Sequence, residues 1–143
     1  MQVAELLRSK GSTVATVTSE TTIDQIIEVL RSANIGAVIV STDGEAIEGI
    51  VSERDIVRAL HPSIELSKKT ASEIMTSDVI TCSMSDHLDA LMSLMTERRI
   101  RHLPVAVDGV LAGIVNIGDV VKHRVNELEH EAQALTEYIQ HGR

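Results

Sequence analysis

Two short stretches of this chain pair a polar capping residue with a carboxylate three positions later. They read Gly49-Ile50-Val51-Ser52-Glu53-Arg54-Asp55 and Gly113-Ile114-Val115-Asn116-Ile117-Gly118-Asp119. In each, an apolar β-type run gives way to a helix at Ser52 or Asn116. A helix start exposes unpaired N–H groups and the positive end of the helix dipole, which makes it an anion site. A hydroxyl or amide at the junction adds a contact for a phosphate or a ribose. Ionised Asp55 and Asp119, one turn in, only accept hydrogen bonds and suit the two donor hydroxyls of a ribose. The same residues meet a plainer need as well: Ser-x-x-Asp and Asn-x-x-Asp are N-caps followed by an acid in the first turn. One copy alone reads as a cap; two copies in matching frames favour ligand binding.

The cations are distributed unequally. Arg101-His102 stand where the first copy has Gly36-Ala37. Arginine offers a forked donor set matched to phosphate oxygens, and histidine adds a donor when protonated. Strand alternation places Arg101 with Leu103 and His102 with Pro104, on opposite faces, so the two do not both enter one cleft. Arg54 is the cation candidate of the first cleft, with a solvated helix face as its alternative. Lys10 reads as a solvated lysine or as a further phosphate contact. Signals for catalysis are missing. No Gly-x-x-x-x-Gly-Lys-Ser/Thr loop and no Gly-x-Ser-x-Gly elbow occurs. Cys82 falls on a predicted strand and reads as a buried thiol rather than a nucleophile. His123 and His130, with Glu127 between them, read as a solvated helix face in preference to a weak metal pair. The expectation is a protein that is not an enzyme.

The elements that position these residues come in two copies. Ile35–Gly44 aligns with Ile100–Gly109 at an offset of 65, and Gly49–Val57 with Gly113–Val121 at an offset of 64. In the first copy, Val14–Thr18 is β-rich, and Thr22 with Gln25 forms a capping-box signature. Ile23, Ile26, Ile27 and Leu30 then form a helical stripe. Ala37–Ser41 and Ile47–Val51 flank a hairpin signal at Thr42–Glu45, and Ser52 opens a helix to about Leu60. In the second copy the strand is Val79–Cys82, the stripe is Leu88, Leu91, Met92 and Met95, and Leu103–Val107 and Leu111–Val115 flank Asp108-Gly109. Each unit is β-α-β-β-α, an α+β arrangement. Residues 3–9 predict a short helix ending near Gly11. The domains are 1–13 (helix and connector), 14–66 (first repeat), 73–126 (second repeat) and 127–143 (helical extension). Val121, Val125, Leu128, Ala132, Leu135 and Ile139 step by four and three along that extension. This apolar seam predicts a contact across a homodimer in preference to packing along its own domain.

Composition narrows the partners. At 143 residues and 43% hydrophobic, the chain is globular. A net charge of −8 argues against a nucleic-acid binder and against anionic lipid. No apolar run approaches the ~20 residues of a membrane span, and residues 1–5 do not read as a secretion signal. A single cysteine fits a reducing cytoplasm. With Tyr138 as the only aromatic, a nucleobase would have to rest on aliphatic side chains and backbone.

The paired Gly-hydrophobic-hydrophobic-Ser/Thr-x-x-Asp motifs, each ending a β-α-β-β-α unit, resemble the CBS domain (the cystathionine-β-synthase motif). Met95–Val105 and Glu73-Ile74-Met75-Thr76, just before the second unit, strengthen the likeness. It covers nearly the whole chain, which resembles stand-alone bacterial proteins made of one CBS pair. The resemblance implies tandem repeats packed with pseudo-twofold symmetry, commonly as homodimers, with helices at both ends. It implies adenine-nucleotide binding between the repeats (AMP foremost, with ATP, ADP or NADH as alternatives), sensing energy or redox state for a regulated protein. It assigns ribose binding to Asp55 and Asp119. Adenine would rest on Ile80, Ile100 and Pro104 in one cleft and on Ala15, Ile35 and Ile39 in the other, with the Thr81 and Thr16 backbones at the base edge. Asn116 departs from the usual Ser or Thr, and Gly36-Ala37 leave the first cleft without evident cations. The competing reading is a homodimeric interaction or scaffold module with vestigial clefts.

Overall fold

A computed structural model describes residues 1–142. The first repeat runs β1 (Thr16–Val17), α2 (Ile23–Ala33), β2 (Ala37–Val40), β3 (Gly49–Ser52) and α3 (Glu53–Ala59), preceded by α1 (Val3–Lys10). A 3-10 turn at Leu66–Lys68 and the short α4 (Ala71–Ile74) lead to the second repeat: α5 (Leu88–Arg98), β4 (His102–Val107), β5 (Val110–Asn116) and α6 (Ile117–His141).

Helix α2 starts where Thr22 and Gln25 close the predicted capping box, and it buries Ile23, Ile26 and Leu30. Ile27, at the edge of the stripe, is 43% exposed. Helix α5 buries Leu88, Leu91 and Met95 in the same way. Both helices stop at a left-handed residue, Asn34 (φ 53°) and Arg99 (φ 54°), one repeat apart. Strand β2 pairs with β1 in parallel and with β3 in antiparallel register, Val38 facing Val51. Strands β4 and β5 form the antiparallel pair of the second repeat.

Three expected strands come out shorter, the first of them Val14–Thr18, which is reduced to Thr16–Val17. In place of a Val79–Cys82 strand, a single bridge joins Cys82 to Val105. Cys82 donates to the Pro104 carbonyl (2.9 Å) and accepts from Ala106 (3.0 Å). The next N–H, that of Ser83, turns to the Asp86 carboxylate (2.8 Å), which ends the ladder. Ile47 lies outside β3, because residues 41–48 fold on themselves. Asp43 Oδ1 accepts from the Glu45 and Ala46 amides (2.9 and 2.8 Å), and Ser41 Oγ accepts from Gly44 (3.0 Å). The tight two-residue hairpin occurs only in the second repeat, where Asp108 (φ 51°) and Gly109 (φ 79°) both adopt the left-handed conformation that such a turn requires.

The leading segments are exchanged between repeats. Val3 and Leu7 of α1 are buried in the core of the second repeat, with Leu88, Leu103 and Val115. A bridge at Gln2–His87 fastens α1 there. Its counterpart Thr22–Thr70 fastens the α4 segment to the first repeat, where Ala71 joins the core of Ile23, Val38 and Val51. Gly113 lets α1 close on β5: a Cβ there would lie 2.6 Å from Leu7 Cδ1. Gly49 does the same for Met75 on β3.

Alternation sets the other faces. Val38 and Val40 point into the first core, and Leu103 and Val105 into the second. Ala37 and Ile39, and His102 and Pro104, therefore face the opposite way, toward the join between repeats. There the His102 ring comes within 3.2 Å of where a Gly36 Cβ would stand. Leu111 N–H donates to the Glu45 carbonyl (2.8 Å) across the same join.

Candidate functional site

The two strand-to-helix junctions are built alike and finished differently. Each first helical N–H is tied to the strand-leading carbonyl, Glu53 to Gly36 (3.0 Å) and Ile117 to Arg101 (2.9 Å). Each Asp then closes a capping box. Asp55 Oδ2 accepts from Ser52 N (2.8 Å) and Oγ (2.9 Å). Asp119 Oδ2 accepts from Asn116 N (2.9 Å), while Asn116 Oδ1 accepts from Asp119 N (3.0 Å). Local capping thus employs the motif fully on the helix side.

The free sides of the carboxylates differ. Thr76 Oγ1 donates to Asp55 Oδ1 (3.2 Å), so both oxygens of Asp55 are engaged. Lys10 Nζ sits 2.6 Å from Asp119 Oδ2, the oxygen already bonded to Asn116. Among the described residues nothing bonds Asp119 Oδ1. The second junction therefore keeps one carboxylate oxygen available to a hydroxyl donor, with a cation beside it.

The neighbouring cations also separate the junctions. Arg101 is exposed and, among the described residues, forms no ion pair. His102 is partly buried, and that burial lowers its pKa below the ordinary imidazole value. Glu53 and Asp119 oppose this lowering, and Arg101 and Lys10 add to it. Lys10, Arg101 and Asp119 thus lie close enough to act on His102. At the first junction Arg54 does not stay free: its guanidinium donates to the Arg99 carbonyl at the left-handed end of α5 and links the two repeats. Its counterpart Gly118 is exposed bare backbone, which leaves the start of α6 open to close approach.

The expected base-holding residues divide as follows. Ile80 and Ile100 lie half-buried against the second core, Pro104 is buried in β4, and Thr81 is exposed. Ala15 and Ile35 lie half-buried against the first core, Thr16 is exposed, and Ala37 and Ile39 are buried at the join. A cavity of about 410 Å³ lies among Ser12, Val14, Thr16, Gly44, Leu111 and Ala112, drawn from both repeats. A second, of about 400 Å³, lies between the end of α3 and the connector, against Leu66 and Lys69. Neither is lined by Ser52, Asp55, Asn116 or Asp119.

Lys10 was read only as a solvated side chain or a phosphate contact, and Thr76 only as part of a family signature. Their partners, Asp119 and Asp55, are fixed by the exchanged leading segments. A signal for that exchange exists: Gln2-Val3-Ala4-Glu5-Leu6-Leu7 matches Thr70-Ala71-Ser72-Glu73-Ile74-Met75 in capping pattern and apolar positions.

The CBS domain family matches residues 3–62 and 71–126. A mitochondrial CBS domain-containing protein of Arabidopsis thaliana is 36% identical over 149 residues, covering 98% of this chain and 72% of the relative. A CBS-domain containing protein from Agrobacterium tumefaciens superposes with a TM-score of 0.82 at 40% identity, over 87% of this chain and 99% of the other. A CBS domain pair solved in complex with 5′-methylthioadenosine and S-adenosyl-L-methionine gives a TM-score of 0.77 at 27% identity, covering 89% of this chain and 98% of that one. A CBS domain protein from Pyrobaculum aerophilum complexed with AMP gives 0.72, also at 27% identity, over 83% and 89%. Duplicated frame, paired junctions and these matches agree: the chain belongs to the CBS domain family, as a tandem pair of CBS repeats.

Proposed function

We propose that the protein is a non-enzymatic, cytoplasmic regulatory module that binds an adenine nucleotide at the second junction, with AMP the first candidate and ATP, ADP and NADH the alternatives. The observation that carries this reading is Asp119. One of its oxygens is held by Asn116 and Lys10, and the other is open to a ribose hydroxyl. Lys10 and Arg101 supply positive charge for a phosphate, and the Gly118 N–H adds a donor. Ile80 and Ile100 supply an aliphatic rest for the base, with the Thr81 backbone at its edge. The first junction, with both Asp55 oxygens engaged and Arg54 committed to Arg99, is the weaker site. Relatives solved with AMP and with S-adenosyl-L-methionine support an adenosine-type ligand.

The test is calorimetric titration and thermal shift with AMP, ADP, ATP and NADH, with GTP as control. A ligand at a hundredfold excess over Kd stabilises the protein by about 2.7 kcal/mol. Asp119→Ala abolishes binding and Asp55→Ala leaves the principal site intact. The absence of a shift with any adenine nucleotide at millimolar concentration rules the reading out.

A second reading, an interaction module with vestigial clefts, draws on α6. Val121, Val125, Leu128, Leu135 and Ile139 are each at least 46% exposed, leaving the seam for a second copy. Dimerisation lost on truncation after Arg124, with nucleotides changing nothing, favours this reading over the first.

A further inference from the structure

Where α6 crosses the first turn of α5, three metal-ligand side chains converge: Asp89 from α5, and His123 and Glu127 one turn apart on α6. One ligand atom from each lies within 4.8 Å of the other two. From these residues we infer a divalent transition-metal site that clamps the root of α6 to α5.

His123 is the centre of the inference. Its side chain is only 15% exposed. Its Nε2 has no solvent contact and no hydrogen-bond partner among the described residues. Glu127 Oε2 lies 3.2 Å away, without the geometry of a hydrogen bond. A buried imidazole nitrogen left unpaired is costly, and a cation between it and the two carboxylates would satisfy all three groups. Arg124 takes the other oxygen of Glu127, which fixes the carboxylate with Oε2 toward His123, as an outer-shell partner does in a metal site. Tetrahedral zinc bonds of about 2.0–2.2 Å to nitrogen and oxygen set ligand atoms roughly 3.4 Å apart, so the widest pair must close by about 1 Å or somewhat more. Exposed Asp89 has the freedom to make that adjustment. One imidazole with two carboxylates suits zinc or cobalt better than magnesium or calcium, and leaves positions for water.

The first repeat keeps only one of the three ligands in its matching frame. The positions matching Asp89, His123 and Glu127 are Asp24, Ala59 and Ser63. An apolar alanine fills the place of the histidine, so the repeat fold does not itself call for an imidazole there.

The experiment uses the full chain, stripped with chelator and free of nucleotide. It is titrated with ZnCl₂ by calorimetry and with CoCl₂ by visible absorption, and the histidine ring nitrogens are followed by NMR. One equivalent binds, the protein's Tm rises, and the His123 Nε2 resonance shifts. Loss of outer-shell partners alone costs about 10–100-fold in metal affinity, so His123→Ala and Glu127→Gln each weaken binding by about tenfold or more. Asp89→Asn, at an exposed position, does the same without threatening the fold. His130→Ala and Asp24→Asn leave binding unchanged. Binding retained in both His123→Ala and Asp89→Asn, or no binding below millimolar metal, overturns the site.

Discussion

Replacing Gly113 with alanine probes the docking of α1 on the second repeat. The backbone at Gly113 is not left-handed, so alanine meets no conformational penalty. By restricting the unfolded chain it even contributes about 0.4–1 kcal/mol of stability. Its methyl, however, would stand 2.6 Å from Leu7 Cδ1 and 3.0 Å from Cδ2. Leu7 is 5% exposed and packed in the second core, so it cannot swing away freely. Overpacking of this kind costs about 1–3 kcal/mol, and the net loss falls between about 0 and 2.6 kcal/mol. Leu7→Ala alone costs about 2–5 kcal/mol through lost burial and a cavity. In the double variant the new methyl occupies part of the space that Leu7 vacates. The losses then fail to add, with a favourable coupling of about 1–2 kcal/mol. Urea denaturation followed by circular dichroism reads all three variants, with unchanged m-values confirming that the comparison concerns the native state. Strict additivity of the two substitutions would refute the docking of α1 against β5.

Other consequences are simpler to measure. Burial, with the nearby Asp86 charge, raises the Cys82 thiol pKa to about 12 from its ordinary 9.0. The unfolded chain loses this proton first, so stability falls as pH rises from about 9 toward about 12. Alkylation by iodoacetamide at pH 8 stays negligible until the protein unfolds; rapid native labelling would contradict the burial. His102, whose pKa burial lowers, is protonated more readily in the unfolded chain. Stability therefore declines as pH falls through the ordinary imidazole pKa, and His102→Gln flattens that decline in Tm between pH 7.5 and 5.5. A Leu128→Glu/Leu135→Glu variant removes apolar surface without touching either core. It converts the proposed dimer to monomer in light scattering with little change in monomer stability.

How far the sequence carried depended on the range of each interaction. The helical stripes apart from Ile27, the capping box at Thr22, the N-caps at Ser52 and Asn116 and the Asp108-Gly109 turn rest on neighbours within four residues, and each reappears in the structure. The opposition of Leu103 to His102 and Pro104 follows from strand alternation. Strand lengths around Cys82 and Ile47 were misjudged, since apolar content does not reveal where Ser83 or Asp43 diverts the backbone. The farther contacts were hidden altogether. Lys10 meets Asp119 across 109 residues, and Asp89 meets His123 through helix packing. His123 and His130 read together as a solvated helix face, yet α6 leaves His123 half-buried and only His130 exposed.

The exchange of leading segments is also the physical origin of the inequality between the clefts. The segment entering the second repeat places Thr76, a neutral donor, on Asp55, whereas the segment entering the first repeat places Lys10 on Asp119. A hydroxyl already in place competes with a ribose hydroxyl for the same carboxylate oxygen. A lysine on the other oxygen does not compete, and it leaves Asp119 Oδ1 free to accept. The Lys10–Asp119 pair is partly open to water, and such pairs contribute only about 0–1 kcal/mol. Turning the ammonium toward an incoming phosphate therefore costs little. On the proposed reading, a nucleotide at Asp119 draws on the last residue of α1, and α1 is anchored in the second core through Val3 and Leu7. Occupancy of the cleft is then linked to the docking of α1, and by reciprocity loosening α1 weakens the ligand by the same free energy.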